Sequence, residues 1–241
     1  MDDIGKILPS IPIFKKLDQG TLEKISLGAS IKKYQKGKIL FIHGDDAERF
    51  FLIKSGWVKL FRETLDGAQA VVDILSQGHI FGETSLFEND TYPYSAEVIE
   101  PAEIISLQLV HLRSEIESNN ILALSMLRAM ARYRRQQDRE IEHRSIQNAS
   151  QRIGCFLLRL INQDTDKSPV IIHLPYDKTL LASRLGMQPE TFSRALSKLK
   201  QKTEIRVKGA TIEMDNIEQL VNYSCAACSS EFPCQDLHAA E

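Results

Sequence analysis

The stretch that most constrains the fold is 178–201, KTLLASRLGMQPETFSRALSKLKQ. It predicts two short helices joined by a tight turn. Leu181 and Leu185 place apolar side chains at helical spacing in the first helix, and Gly186 follows where the chain has to turn. Pro189 suits the first position of the second helix, because its missing N–H would have no intrahelical partner there. This pattern is typical of a helix-turn-helix, whose second helix lies in the major groove of DNA.

The second helix is predicted to have one buried and one exposed face. Apolar residues at i, i+3, i+4 and i+7 form the buried face: Phe192, Ala195, Leu196 and Leu199. The residues that we predict to bind DNA are Gln188, Glu190, Thr191, Ser193, Arg194 and Lys198. Arginine can donate two hydrogen bonds to guanine, glutamate can accept one from cytosine, and lysines contact phosphates. An ordinary solvated helix shares this spacing but does not require the glycine turn and the proline start.

Charge is concentrated around this motif. Residues 176–208 carry eight Lys or Arg against three acidic residues, a local charge of +5, whereas the whole chain has a net charge of −2. Residues 210–241 contain no Lys or Arg and six acidic residues, so we expect this tail to stay off DNA. One basic patch in a nearly neutral chain indicates a DNA reader with a separate regulatory part.

Length and motifs exclude several classes of protein. A chain of 241 residues is long enough for two domains with their own cores. No apolar run approaches the roughly 18 residues of a membrane span, and the N-terminus lacks a signal-peptide pattern, so we expect a cytoplasmic protein without a membrane partner. No nucleophile elbow, phosphate loop or metal-hydrolase motif is present, which argues against an enzyme.

Residues 29–109 have the pattern of an antiparallel β-barrel or jelly roll. Short β-rich runs are separated by glycines, at 38–43, 49–54, 57–64, 70–75, 96–100 and 103–109. Gly56 is predicted to form a tight hairpin turn, and Asp66-Gly67 a second one.

A long helix is predicted next. No proline or glycine interrupts the chain from Ile121 to Ile146, and the helix is expected to restart at Asn119-Asn120. Several residues lie near a heptad seam: Leu124, Leu127, Ala131, Asp138 and Ile141. We therefore expect the helix to pair with its twin in a homodimer, which would place two reading heads about one DNA turn apart.

The remaining chain predicts a winged helix-turn-helix. A helix around Ile153 and a strand at 170–175 precede the motif, and 205–214 forms a hairpin, the wing, that turns at Gly209. The predicted organisation is a sensor domain at 1–110, a dimerisation helix at 111–148, a DNA-binding domain at 149–222 and an acidic, cysteine-containing tail at 223–241.

The order of barrel, long helix and winged helix-turn-helix resembles the cyclic AMP receptor protein/FNR family of bacterial transcription regulators. Three motifs carry the resemblance: FLIKSGWVKLFRETLDG (51–67), the phosphate-cassette-like FGETSLFENDTYPYSAEV (81–98) and MQPETFSRAL (187–196). The resemblance implies an α+β protein with a cyclic-nucleotide-binding-like barrel or jelly roll, a dimerisation helix and a winged helix-turn-helix. It also implies double-stranded DNA, RNA polymerase and a second copy of the chain as partners.

The phosphate-cassette segment departs from the family pattern. Cyclic-nucleotide binders of the family have an arginine just before a Ser or Thr, where this chain has Tyr94 before Ser95. Without the guanidinium a buried phosphate would be poorly compensated, so we expect another effector, with a cyclic nucleotide or other small molecule as the alternative. The predicted effector pocket is Phe81, Gly82, Glu83, Thr84, Tyr94 and Ser95. No cysteine precedes Cys155, so the N-terminal iron–sulfur site of related oxygen sensors is absent.

The reading helix suggests a branch of the family. Glu190, Ser193 and Arg194 stand in the E-x-x-S-R arrangement of regulators that recognise TTGAT-type half-sites. The string QPETFSR resembles the Dnr/Nnr branch, which responds to nitric oxide through haem. The resemblance therefore implies a nitric-oxide-responsive activator that holds haem, although no histidine lies in a motif that selects it as the axial ligand.

The tail carries a possible metal-ligand pattern, C-x2-C-x5-C-x3-H: Cys225, Cys228, Cys234 and His238. Four soft ligands at this spacing could hold zinc or an iron–sulfur cluster. Reduced thiols on a flexible tail and a redox switch are the alternatives, and the last would make the tail a second sensor.

Overall fold

The structure is a computed structural model that describes residues 4–88, 90–161, 169–174, 178–226 and 228. The chain divides into two compact units, 1–131 and 132–241, which are described in turn. In the described part of the chain, no helix is long and apolar enough to cross a membrane. The polar sequence of residues 162–169 predicts a loop before the strand at 170–175, and 162–168 lie outside the described residues.

Short helices open the N-terminal unit. They are α1 (Ile4–Ile7), a 3-10 turn (Leu8–Ser10) and α2 (Gln19–Ser26). The sequence predicts Asp18 as the cap of a helix that carries Leu22 and Ile25. Its side chain accepts a hydrogen bond from the Thr21 N–H at 3.0 Å and so caps α2.

Six antiparallel strands form one sheet in this unit: β1 (Ser30–Tyr34), β2 (Ile39–Phe41), β3 (Arg49–Glu63), β4 (Gln69–Leu75), β5 (Ile80–Phe81) and β6 (Ser95–Gln108). The strand order is β1-β6-β3-β4, with β2 also paired to β6 and β5 to β3. The predicted β-rich sensor domain is confirmed, but the described strands do not close into a barrel. Closure fails because β1 and β4 remain at opposite edges of the sheet.

The predicted hairpin at Gly56 is wrong. Gly56 lies inside β3 with φ +88°, where the register between β3 and β6 shifts. A Cβ atom at this position would lie 2.3 Å from the carbonyl oxygen of Pro101. The glycine therefore marks a bulge at which the two backbones approach closely, because a side chain would both strain the backbone and collide with β6. The two runs predicted on either side of Pro101 likewise form the single strand β6.

The second predicted hairpin is confirmed. β3 and β4 are joined through Gly67, which has φ +80°. The Thr64 N–H donates to the Ala68 carbonyl at 2.8 Å, and the Gly67 N–H donates to the Thr64 carbonyl at 2.9 Å. These bonds fix the register of the two strands.

Two helices follow the sheet, α3 (Leu109–Ser118) and α4 (Asn120–Ile146). The Asn119 side chain accepts hydrogen bonds from the N–H groups of Ile121 and Leu122 at 3.0 and 3.2 Å, so the helix restarts where the sequence predicted. Leu122 and Met126 are buried in an apolar core with residues of α2, β3 and β6. The start of α4 is thereby anchored to the N-terminal unit.

The C-terminal unit contains α5 (Ala149–Arg159), β7 (Val170–His173), α6 (Lys178–Arg184), α7 (Pro189–Thr203), β8 (Arg206–Lys208), β9 (Thr211–Met214) and α8 (Glu218–Cys225). Its three strands are ordered β7-β9-β8. The β8–β9 hairpin turns at Gly209, which has φ +60°. The predicted wing is therefore confirmed.

Helix α8 was not predicted. It packs against α5 so closely that a Cβ atom at Gly154 would lie 2.0 Å from the Ser224 hydroxyl. The chain is consequently helical as far as Cys225, beyond the point where the sequence placed the start of the tail.

Candidate nucleic-acid interface and sensor site

The helix-turn-helix has the local geometry that its sequence predicts. Gly186 adopts φ +63° between α6 and α7, and the Met187 N–H donates to the Ala182 carbonyl at 3.0 Å. Gln188 occupies the N-cap position of α7 without a hydrogen bond from its side chain, and Pro189 lies in the first turn. The turn therefore holds the second helix at a defined angle to the first.

Helix α7 has one buried and one exposed face, as predicted. Phe192, Leu196 and Leu199 are buried. All six predicted DNA-binding residues are exposed, from Gln188 to Lys198. Within the described residues no ion pair involves Arg194 or Lys198, so both cations are available to a ligand.

The wing contributes less net charge than its sequence suggests. Arg206 forms two hydrogen bonds to the Asp215 carboxylate, at 2.7 and 2.8 Å. Lys208 lies 3.3 Å from Glu213. Because both wing cations are paired with carboxylates, the positive charge presented to a nucleic acid is concentrated on α7.

The structure brings five of the six predicted effector residues together. Tyr94 is hydrogen-bonded to the Thr84 side chain and the Gly82 backbone, and it is close enough to Glu83 for their electrostatic interaction to shift its pKa. Phe81 precedes them at the end of β5 and is fully buried. Ser95 has a different role, because its hydroxyl accepts a hydrogen bond from the His43 backbone N–H at 3.0 Å.

The electrostatics of this pocket disfavour an anion. Burial raises the pKa of Glu83, and one of its carboxylate oxygens has no hydrogen-bond partner among the described residues. Burial, followed by the charge of Glu83, also raises the pKa of Tyr94. An incoming phosphate would meet an acid and a phenol where a guanidinium is needed.

An aromatic cluster that sequence analysis missed lies beside Tyr94. The ring centroids of Phe41 and Tyr92 are 3.7 Å apart, and those of Phe51 and Phe81 are 4.9 Å apart. The cluster was hidden because its members come from four separate segments of the chain. Haem would need an apolar pocket with an axial ligand, but in the described N-terminal unit none of the three histidines belongs to this cluster. Among the described residues, this cluster therefore contains no histidine that could serve as the axial ligand.

Two of the predicted tail ligands, Cys234 and His238, lie outside the described residues. Cys228 is described, and its sulfur lies 3.7 Å from Nε2 of His143. The other ring nitrogen, Nδ1, lies 3.9 Å from the Cys155 sulfur and 3.3 Å from the Arg159 guanidinium. Sequence analysis missed this contact because His143 belongs to α4. Among the described residues, no three His, Cys, Asp or Glu side chains are grouped so that they could hold a metal ion.

Comparison with known proteins identifies both units. Residues 31–119 match the cyclic nucleotide-binding domain family, and residues 151–223 match the Crp-like helix-turn-helix domain. The cyclic AMP receptor protein of Thermus thermophilus is 30% identical over 195 residues, which cover 80% of this chain and 88% of that protein.

Solved structures agree. A Ruegeria pomeroyi protein, provisionally assigned to cyclic nucleotide binding, superposes with a TM-score of 0.67 at 32% identity, covering 92% of this chain and 96% of its own. DNR from Pseudomonas aeruginosa superposes with a TM-score of 0.51 at 27% identity, covering 89% and 95%. The relatives are transcription regulators and not enzymes, which confirms the prediction that this chain is not an enzyme. The chain therefore belongs to the cyclic AMP receptor protein/FNR family and is a DNA-binding transcription regulator with a sensor domain of the cyclic nucleotide-binding type.

Proposed function

We propose that this regulator is a homodimer that reads palindromic TTGAT-type sites through α7. The observation that carries the proposal is the exposed row of Glu190, Ser193 and Arg194 on a helix whose opposite face is buried. In the free protein the Ser193 hydroxyl donates to the Pro189 carbonyl at 3.0 Å, a bond that it can exchange for a base edge.

The exposed side of α4 supports the dimer. All five seam residues are exposed in the single chain, including Leu124 at 50% and Leu127 at 60%. Leu122 and Met126 face the core instead, so the exposed leucines are free to pack against a second helix. Leu127→Glu should convert the dimer into monomers in analytical ultracentrifugation. Leu65→Glu, at the exposed β3–β4 hairpin, is the matched control and should remain dimeric.

DNA reading is tested by fluorescence anisotropy with a TTGAT palindrome and a scrambled duplex of equal length. Arg194→Ala should lose about 5- to 150-fold in affinity for the palindrome, because a bidentate guanine contact contributes about 1–3 kcal/mol. Its affinity for the scrambled duplex should change little. Lys198→Ala should weaken both complexes alike and reduce the slope of log affinity against log salt by about 1. Equal losses of Arg194→Ala on both duplexes would contradict the assigned role.

The signal is proposed to act at the pocket of Glu83 and Tyr94. Nitric oxide is the candidate signal, because the reading helix resembles that of the Dnr/Nnr branch. Haem would supply the nitric oxide ligation site, but no step is assigned to it because the described aromatic cluster beside the pocket contains no histidine. Absorption spectra of anaerobic protein, with and without added haem, decide this part. A Soret band that shifts with nitric oxide supports it, whereas no haem uptake together with tighter DNA binding in cyclic AMP would assign the pocket to a nucleotide.

Activation is proposed to occur in the cytoplasm through contact with RNA polymerase. The test is transcription in vitro from a promoter with an upstream TTGAT palindrome. More transcript with the regulator than without it supports an activator, and less transcript identifies a repressor.

A second sensor in the tail is favoured by the contact between Cys228 and His143. We expect zinc, an iron–sulfur cluster or a redox-active thiol at the C-terminal cysteines, with His143 as a neighbour that the motif did not contain. A triple Ser variant of Cys225, Cys228 and Cys234 should lose bound metal or change its DNA response to oxidant. Unchanged metal content together with an unchanged response would remove the tail from the mechanism.

A further inference from the structure

A small cavity lies inside the C-terminal unit, away from the exposed face of α7. Its volume is about 50 Å³. It is lined by the last turns of α4, by α5 and by the end of α6: Glu140, His143, Arg144, Gln147, Arg152, Cys155, Phe156, Arg159, Arg184 and Leu185. Three helices therefore meet around one partly open cavity.

Positive charge dominates the lining. Four arginines face one carboxylate, that of Glu140, which is bound by Arg184 and lies 3.6 Å from Arg159. In the part of the chain that the structure describes, no carboxylate lies within ion-pair distance of Arg144 or Arg152. The cavity is thus lined by more cations than its single acid can neutralise.

Buried donors in this lining lack acceptors. The Nε atoms of Arg152 and Arg159 are buried, and neither has a hydrogen-bond partner among the described residues. A buried donor without an acceptor costs about 1–3 kcal/mol, and more when it is charged. Burial and the charge of Arg144 also lower the pKa of Arg152, so the protein alone disfavours its charged form. Both features would be relieved by an anion.

We propose that this cavity is a binding site for a small oxyanion such as sulfate, phosphate or nitrate, held by Arg152 and Arg159 with Arg144 at its rim. Guanidinium groups match the geometry of oxyanions and donate paired, charge-assisted hydrogen bonds to them. Size sets the upper limit. A water molecule needs roughly 10–15 Å³ of such a cavity, so about 50 Å³ accommodates an ion of four or five atoms and excludes a nucleotide.

The cavity adjoins the turn that leads into the reading helix. Arg184 and Leu185 immediately precede Gly186, the turn that leads into the reading helix. An anion bound between α4, α5 and the end of α6 would tighten the packing from which α7 projects. The effect of the anion on DNA affinity rests on the proposed function, whereas the binding of the anion does not.

The test uses full-length protein and inorganic sulfate, phosphate and nitrate, each compared with chloride at equal ionic strength. Thermal unfolding and isothermal titration calorimetry are recorded for wild type, Arg152→Met and Arg135→Met. Arg135 is the matched control because it is an exposed arginine of α4 outside the cavity lining. Arg135→Met is subject to the same general stabilisation by sulfate as the other two proteins.

Wild type and Arg135→Met should bind one anion per chain, with a rise in Tm of about 5–10 °C at a hundred times Kd. Arg152→Met should lose this rise, yet in chloride its Tm should be no lower than that of wild type, because the substitution removes a partly buried guanidinium whose buried Nε has no acceptor among the described residues. A purely structural arginine would instead lower Tm in every salt.

Three outcomes would overturn the proposal: no anion-specific rise in wild type, a rise that survives in Arg152→Met, or a rise that disappears in Arg194→Ala but not in Arg152→Met. The last would assign the anion to the reading face. The same titrations without DNA separate this result from the proposed function, because failure to bind any duplex would leave the anion measurement standing.

Discussion

The ion pair between Glu140 and Arg184 joins the end of α4 to the first helix of the helix-turn-helix. Two guanidinium nitrogens lie 2.7 and 2.5 Å from the two carboxylate oxygens, and the side chains are only 13% and 14% exposed. Glu140→Gln keeps the shape of the side chain but removes its charge. It removes, in a largely dry site, the carboxylate that binds Arg184 and lies 3.6 Å from Arg159.

The expected cost can be worked from this geometry. Removing one partner of a fully buried pair costs about 3–5 kcal/mol. The residual exposure and one hydrogen bond that glutamine can still accept reduce the expected loss to about 2–3 kcal/mol. The matched control is Asp138→Asn, because Asp138 pairs with Arg134 on the same helix while the two side chains are 52% and 77% exposed. Its loss should stay below about 0.5 kcal/mol.

Urea unfolding at pH 7 measures both variants, with helical circular dichroism for the whole chain. The fluorescence of Trp57, the single tryptophan, reports the N-terminal unit separately. Burial alone would raise the pKa of Glu140, but the hydrogen bonds and charge of Arg184, with help from Arg159 and Arg144, outweigh it and hold the pKa below its ordinary value. The stabilisation is therefore present above the ordinary value of 4.5 and is lost as the pH falls through the lowered pKa.

The advantage of wild type over Glu140→Gln should consequently be full at pH 7 and shrink progressively below about pH 4.5. Equal losses in Glu140→Gln and Asp138→Asn would show that burial of the pair does not matter. A difference in stability between wild type and Glu140→Gln that stays constant with pH would show that the charge of Glu140 does not matter.

Two further predictions concern the sensor unit. Gly56→Ala and Gly37→Ala both place a side chain at positive φ, which costs about 1–2 kcal/mol in each variant. Only the Cβ at position 56 meets the β6 backbone, so urea unfolding of Gly56→Ala should show an additional loss of stability of about 1–3 kcal/mol. Equal losses of stability in the two variants would show that β3 and β6 do not approach closely at the bulge. Glu83→Gln should gain stability relative to wild type as the pH rises from 5 to 8, because a carboxyl whose pKa is raised by burial opposes folding once it has to ionise. A constant difference across that range would mean that Glu83 is not strained by its burial.

The parts of the fold that sequence predicted well are those fixed by neighbouring residues. The helix-turn-helix followed directly from Gly186, Pro189 and the apolar spacing of α7, because these features act on residues that are close in sequence. The same holds for the cap at Asp18, the Asp66-Gly67 hairpin and the wing turn at Gly209.

The features that sequence missed depend on contacts between distant segments. A glycine at positive φ is the same residue in a hairpin turn and in a bulge, and only the approach of β6 separates the two cases at Gly56. The aromatic cluster draws on rings from Phe41 to Tyr94, and the arginine-lined cavity combines three helices. Strand β1 was missed because its two adjacent lysines, Lys32 and Lys33, give it little apolar character. The DNA contacts, the dimer and the signal remain predictions.

The contact between Gly154 and Ser224 has a consequence for how this chain can vary. Any side chain at position 154 would push α8 away from α5, because even a methyl group would overlap the hydroxyl of Ser224. Helix α8 also packs against the reading helix α7, so such a change would displace the end of α8 and disturb its contact with α7. In a library of random variants, position 154 should therefore retain glycine, because any larger residue would disturb the packing of α8 against α5, whereas the open glycine at position 37 would tolerate replacement at the expense of backbone strain alone.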